Sequence, residues 1–144
     1  MWKSLVENLG KGCRFESGAS ETEVSKAEVK LNIGLPQDLK ECLYESNGIY
    51  GEYELGLVWS VERLVSTNIE FRSNSDFVEL YMPFDSVLFF ADAGNGDQFF
   101  FPMQGGEIRR EDVFVWNHEE DSRAWVAPSL KRYVEWMITG KINV

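Results

Sequence analysis

Apolar residues recur at helical spacing in four stretches of this 144-residue chain. The clearest stretch lies near the end, where positions 130, 133, 134, 137 and 138 are all apolar or aromatic and form one helical face. A capping box of Ser20 and Glu23 opens an earlier stretch. Helices are therefore predicted over residues 20–34, 36–48, 60–72 and 128–140.

Three other stretches are predicted to be extended. Residues 55–59, LGLVW, are apolar enough for a short strand, and the alternation after Asp112 predicts another. Residues 76–84, DFVELYMPF, are predicted to be extended up to Pro83. Helices at the start, strands in the middle and a helix at the end indicate one α+β domain over residues 1–144 rather than a βαβ alternation.

The stretch FFADAGNGDQFFF, residues 89–101, places two aromatic runs around a small acidic turn. Asn95-Gly96 is a strong signal for a two-residue hairpin turn, because both residues tolerate positive φ. A tight turn would place Asp92 opposite Phe99 and Phe90 opposite Phe101. Neighbouring aromatic residues in each run point to opposite faces, so the strands are predicted to be covered on both faces.

A metal site and a phosphate site are the two alternatives to a hairpin at the same turn. A calcium loop that begins at Asp92 would need ligands where Gly94 and Met103 stand. A dinucleotide fingerprint would need a third glycine where Phe99 stands, and it would have to open a helix rather than a strand. The hairpin interpretation is therefore favoured, and neither a metal nor a cofactor is expected.

The charge of the chain limits the partners that it can take. Its 14 basic and 24 acidic residues give a net charge of −10, which argues against nucleic acid and anionic membranes and allows a basic protein partner. The two cysteines, Cys13 and Cys42, lie too far apart for a CxxC metal or redox motif. With no apolar run typical of a signal peptide or a bilayer span, a cytoplasmic location is expected.

The only histidine, His118, lies in the acidic stretch WNHEEDSR. One reading is an acid–base or metal site formed by His118 and the carboxylates beside it. A single histidine cannot supply a two-histidine zinc site, however, and the chain has no GxSxG motif. A solvated loop at the end of a strand is favoured, and an enzyme is not expected.

Several strings, taken in order, resemble the SMI1/KNR4 family of the SUKH superfamily. They are LPQDLKECLYESNG, a Trp-bearing segment after it, FFADAGNGDQFFF and VFVWNHEEDSRAWVAPSLKRYVEWM. The resemblance covers about residues 15–140. It implies an α+β fold in which a bent, mainly antiparallel sheet packs with about four helices, and it implies binding rather than catalysis.

The resemblance also implies two possible roles. Bacterial members are regarded as immunity proteins that neutralise polymorphic toxins, whereas fungal members are linked to cell-wall glucan synthesis. Since this chain lacks the long disordered flanks of the fungal members, the immunity role is favoured. Regulation of glucan synthesis is the first alternative, and a metal-assisted hydrolase built on His118 is the second.

In the favoured role, the hairpin turn and the loop between Trp116 and Trp125 form one edge that covers the groove of a basic toxin domain. Carboxylates on this edge would steer association, and the two tryptophans would be its desolvated anchors. The oligomeric state is not indicated. The predicted partner-binding residues are Asp92, Asp97, Trp116, Glu119, Glu120, Asp121 and Trp125.

Overall fold

The structure is a computed structural model that describes residues 1–10 and 12–142. Its helices are α1 (Trp2–Leu9), α2 (Glu21–Leu31), α3 (Gln37–Glu45), α4 (Val61–Ser73), α5 (Ser75–Leu80) and α6 (Leu130–Ile138). Its strands are β1 (Arg14–Phe15), β2 (Ile49–Tyr50), β3 (Gly56–Val58), β4 (Val87–Asp92), β5 (Gln98–Pro102), β6 (Val113–Asn117) and β7 (Ser122–Ala127). A short turn, Glu52–Glu54, lies between β2 and β3.

Polar side chains define the ends of the predicted helices. The capping box at α2 is present, with Ser20 Oγ accepting from the amide of Glu23 and the Glu23 carboxylate accepting from the amide of Ser20. The helix ends earlier than Gly34, because Asn32 takes a left-handed conformation (φ 54°). Ser60 caps α4 as predicted. All four predicted helices, α2, α3, α4 and α6, are confirmed.

The strands form two antiparallel sheets, β1-β2-β3 and β4-β5-β6-β7. The amide of Trp59, directly after β3, donates to the carbonyl of Phe90 in β4 at 2.8 Å, so the two sheets adjoin. The predicted α+β class with antiparallel pairing is confirmed. Where one bent sheet with about four helices was expected, the described residues contain two adjoining sheets and six α-helices.

The four-stranded sheet is covered on both faces, as predicted for β4 and β5. On one face, Phe90, Phe99 and Phe101 join the main core, which contains Tyr133 of α6 and the buried residues of the other helices. On the other face, Phe89, Phe100 and Trp116 join a smaller aromatic cluster with Phe84. The rings of Phe71 and Phe77 close this second core, with their centroids 4.8 Å apart.

The register of the β4–β5 hairpin differs from the prediction. Asp92 lies opposite Gln98, and Phe99 lies opposite Ala91, because Phe90 is an extra residue that bulges out of the ladder. The carbonyl of Phe90 accepts a hydrogen bond from Trp59 in the neighbouring sheet instead. The loop is therefore wider than two residues, and the hydrogen bond from the amide of Ala93 to the carbonyl of Asp97 closes it.

The extended prediction for residues 76–84 is wrong, because this segment contains α5. Asn74 Oδ1 accepts a hydrogen bond from the amide of Asp76 and starts the helix. Strand β7 and helix α1 were not predicted either. The Glu45 carboxylate accepts from the amides of Trp2 and Lys3, which caps α1 from a distant part of the chain. No helix among the described residues is long and apolar enough to cross a bilayer.

Candidate protein-binding site

Three loops lie side by side at one end of the molecule. We call segments 51–55, 93–97 and 117–121 together the three-loop edge. A β-carbon added to Gly94 would lie 3.5 Å from Leu55 Cδ1, which places the first two loops in contact. A β-carbon added to Gly96 would lie 2.8 Å from the His118 ring, which places the third loop against the second.

The second and third loops are joined by a carboxylate–histidine pair. Asp97 Oδ1 lies 2.6 Å from His118 Nδ1 and accepts a hydrogen bond from the His118 amide at 3.1 Å. The Asp97 side chain is buried, and the His118 side chain is about one third exposed. Asp97 was predicted to be a surface contact, but its carboxylate is occupied in holding the two loops together.

Asp92 is also engaged inside the molecule. Its two carboxylate oxygens accept from both terminal nitrogens of Arg63, at 2.6 and 2.8 Å. The Arg63 guanidinium lies 4.4 Å from the centre of the Trp59 ring, in cation–π geometry. Since this charge is paired, Asp92 adds little to the field of the edge and instead ties β4 to α4.

Trp116 and Asp121 support the third loop from below. Trp116 is only 3% exposed, so it cannot be a surface anchor in this conformation. Its indole N–H donates to Asp121 at 2.8 Å, and the other Asp121 oxygen accepts from the amide of Met82 at 2.9 Å. Burial alone raises the pKa of Asp121, but these two hydrogen bonds and the nearby charge of Arg123 outweigh it and hold the pKa below its ordinary value.

The third loop presents two carboxylates to solvent. Asn117 Oδ1 accepts hydrogen bonds from the amides of Glu119 and Glu120, at 2.9 and 3.3 Å, and shapes the turn. Both glutamate side chains are exposed, and neither takes part in the ion pairs described for residues 1–10 and 12–142. Their placement fits the predicted role of a charged rim, which stays a prediction.

The first loop carries a side chain that sequence reasoning did not select. Tyr53 is fully exposed, and both Tyr53 (φ 58°) and Glu54 (φ 59°) lie in the left-handed region. The hydrogen bond from the amide of Gly51 to the carbonyl of Leu55 closes the loop at 2.8 Å, and Glu54 is paired with Arg14. The signal available in the sequence was an aromatic residue between two glutamates, GEYEL.

Trp125 lies on a different surface. It is half exposed on β7, opposite Phe114, and its indole N–H donates to Asp112 at 3.1 Å. The three-loop edge is at the turn of the β6–β7 hairpin, next to the Asn117–Ser122 pair. Trp125 pairs with Phe114, which lies further along the hairpin and away from this turn. The structure therefore does not bring Trp125 together with the other predicted contact residues.

The carboxylates in the edge and beside it divide into two groups. Asp92, Asp97 and Asp121 are bound within the fold and Glu54 is paired with Arg14, whereas Glu119 and Glu120 are exposed, as is Glu52 of the first loop. Nowhere in residues 1–10 and 12–142 do three His, Cys, Asp or Glu side chains come together in a way that could hold a metal ion. The edge therefore presents an acidic surface with one exposed aromatic ring, that of Tyr53.

Comparison with known families supports the fold and its class. No curated protein matches the chain significantly. A family model described as SMI1-KNR4 cell-wall, of the SUKH group, matches residues 21–134. This span begins at α2 and ends in α6, and it contains all three loops of the edge. Because the match covers most of the chain, the protein belongs to the SMI1/KNR4 family of the SUKH superfamily.

Proposed function

We propose that this SMI1/KNR4 domain is a non-catalytic, cytoplasmic immunity protein that binds a basic toxin domain and covers its active groove. The observation that carries the proposal is the three-loop edge, where Glu52, Glu119 and Glu120 are exposed on the same end of the molecule as Tyr53. Toxins that act on nucleic acid bind phosphates through Lys and Arg, so their grooves are basic. An acidic edge with an aromatic anchor suits such a groove.

The charge of the whole chain supports the same partner. With a net charge of −10, the protein attracts a basic surface before contact, and such steering raises the association rate. Salt screens this attraction over about 10 Å at 0.1 M. The exposed glutamates of the edge would then set the orientation in which the partner arrives.

Tyr53 supplies the aromatic anchor of the proposed contact. Each non-glycine residue in the left-handed region carries roughly 1–2 kcal/mol of strain, and the loop holds two of them in succession, Tyr53 and Glu54. Such strain concentrates at recognition sites. Tyrosine is also a frequent energetic centre of protein interfaces.

The test is a binding experiment with a toxin encoded beside this gene. The toxin domain is immobilised, and association and dissociation rates are measured by surface plasmon resonance across a salt series. We expect the triple variant Glu52→Gln, Glu119→Gln, Glu120→Gln to associate more slowly and to lose much of its salt dependence. Asp121 is left intact, because its hydrogen bonds to Met82 and Trp116 support the loop.

The matched control removes the same number of charges from helices. Glu7, Glu41 and Glu70 are exposed on α1, α3 and α4, and their triple amide variant has the same net charge as the edge variant. If both variants associate equally slowly, net charge alone is responsible and the edge is not the contact surface. Tyr53→Ala should speed dissociation, since anchors act mainly on the lifetime of a complex. An unchanged dissociation rate removes Tyr53 from the interface.

A second candidate is regulation of cell-wall glucan synthesis, which the cell-wall description of the matching family model favours. This role also requires binding, but to a different partner. Deleting the gene separates the two candidates. Sensitivity to the neighbouring toxin supports immunity, whereas altered wall glucan without toxin sensitivity supports the second role.

A further inference from the structure

Strand β7 (Ser122–Ala127) is the last strand of the four-stranded sheet, and it pairs only with β6. Half of the backbone groups of an outer strand point away from the sheet. Among the hydrogen bonds of residues 1–10 and 12–142, none reaches the backbone of β7 from a residue outside β6. The outer side of β7 therefore offers unpaired donors and acceptors along six residues.

The side chains of β7 favour contact with another chain. Ala124 and Trp125 are exposed, and Trp125 is held in place because its indole N–H donates to Asp112, which also pairs with Arg110 at 2.6 Å. An exposed aromatic side chain that is already fixed loses little conformational entropy when it is covered. Trp125 and its neighbour Phe114 end the aromatic row that crosses the sheet from Phe89.

The strand carries no exposed charge, such as the lysines that often protect an outer strand from pairing. The only charged residue of β7 is Arg123, whose guanidinium donates to the carbonyls of Met82 and Pro83 at 2.9 and 3.2 Å. In a chain with 24 acidic residues, β7 contains none, so no two carboxylates of this strand face each other when two copies meet there.

We propose that β7 pairs in antiparallel fashion with β7 of a second copy, which joins two four-stranded sheets into one of eight strands. The proposal goes beyond the proposed function, because it uses a surface separate from the three-loop edge. A two-fold axis perpendicular to the sheet makes residues of the same face lie opposite each other. Centred on Ala124, this axis places Arg123 of one copy opposite Trp125 of the other.

The other registers near the middle of β7 are less favourable. An axis at Arg123 would make two positively charged side chains direct cross-strand neighbours, and like charges directly opposite destabilise a sheet. An axis at Trp125 would place Val126, the extra residue of the β7 bulge, directly beside the centre of the ladder. The register at Ala124 has a small side chain on the axis and leaves Val126 at the end of the ladder, opposite Ser122.

The experiment measures mass in solution by sedimentation equilibrium, from low micromolar into hundreds of micromolar. We expect the full chain to dimerise as concentration rises. Ala124→Lys and Ala124→Glu should each abolish the dimer, because each puts two like charges on the axis. Ser66→Lys, exposed on α4, is the matched control for added charge and should dimerise as the parent does.

Mixing the two Ala124 variants is the decisive measurement. In an equimolar mixture the lysine and the glutamate face each other, so a heterodimer should form although neither variant dimerises alone. Trp125→Ala should weaken the parent dimer. A parent that stays monomeric at every concentration, variants at Ala124 that still dimerise, or a mixture that stays monomeric would each overturn self-pairing through β7.

Discussion

Gly96 illustrates how one residue sets the shape of the three-loop edge. Its φ is +94°, as predicted, and an added β-carbon would lie 2.8 Å from the ring of His118. We expect Gly96→Val to lower the free energy of unfolding by roughly 1–3 kcal/mol, because the branched side chain suffers both backbone strain and this contact. Chemical denaturation measures the difference.

Gly106 is the matched control for this substitution. Its φ is +77°, but an added β-carbon would meet no atom within 4 Å. Gly106→Val therefore carries the backbone strain alone, and its loss of stability should be smaller. If the two variants lose equal stability, the contact with His118 adds nothing to the strain.

Asp121 predicts a specific dependence of stability on pH. Its pKa is lower in the folded chain than in the unfolded chain, so its contribution to stability is fully present above the unfolded pKa, at about pH 4. That contribution is lost as the pH falls through the depressed folded pKa. We expect Asp121→Asn to be less stable than the parent at neutral pH and to approach it in acid. Thermal melts between neutral pH and about pH 2 measure this convergence; a constant difference would contradict it.

At the residue scale, the sequence did not show which carboxylates are exposed and which are hydrogen-bonded within the fold. The hairpin turn and the acidic loop were recognised from the sequence, and both lie on the edge. Whether a carboxylate is exposed, however, depends on partners far along the chain. Asp97 is held by His118, Asp92 by Arg63 and Asp121 by Met82, and no local pattern reveals such pairs.

At the scale of elements, Asn68 connects α4 to β4, the first strand of the four-stranded sheet. It is 1% exposed, its Oδ1 accepts from the amide of Phe89, and its amide group donates to the carbonyls of Phe89 and Leu64, all at 2.7–2.8 Å. Asn68→Leu leaves the buried peptide groups of Phe89 without these partners. We expect a loss of about 2–6 kcal/mol in unfolding free energy, since each of the two unsatisfied groups costs about 1–3 kcal/mol.

The control for Asn68 is Ser66→Leu, an exposed position on the same helix. Its unfolding free energy should stay within about 0.5 kcal/mol of the parent. Urea denaturation of both variants gives the comparison. A loss as small for Asn68→Leu as for Ser66→Leu would mean that the hydrogen bonds between α4 and β4 contribute little.

The elements that sequence reasoning found are those that carry their own signals. Caps and helical periodicity predicted α2, α3, α4 and α6, and the paired aromatic runs predicted β4 and β5. By contrast, α1 is capped by Glu45, more than forty residues away. Helix α5 is a short helix whose one aromatic residue, Phe77, packs on Phe71 of α4. Strand β7 follows a tight acidic turn whose sequence resembles that of a loop. The formation of α1, α5 and β7 therefore depends on tertiary contacts that the local sequence does not show.

At the scale of the whole molecule, the fold is predicted to need no metal. The reason is that the residues after Asp92 do not have the spacing of calcium ligands, and that the single histidine is paired with Asp97. Thermal melts with and without a chelator should coincide, because a metal bound only by the folded state would add its binding free energy to stability. A melting temperature that falls in chelator would contradict the prediction.

The division between held and free carboxylates has an evolutionary consequence. Asp92, Asp97 and Asp121 are tied into the fold, so substitutions there are selected against through stability, whatever the partner. Glu52, Tyr53, Glu119 and Glu120 are exposed and contribute little to either core. In the proposed role, a lineage can therefore change these four residues to follow a changing partner while the scaffold drifts slowly. Variation among descendants of this protein should concentrate at the tips of the loops and spare the carboxylates beneath them.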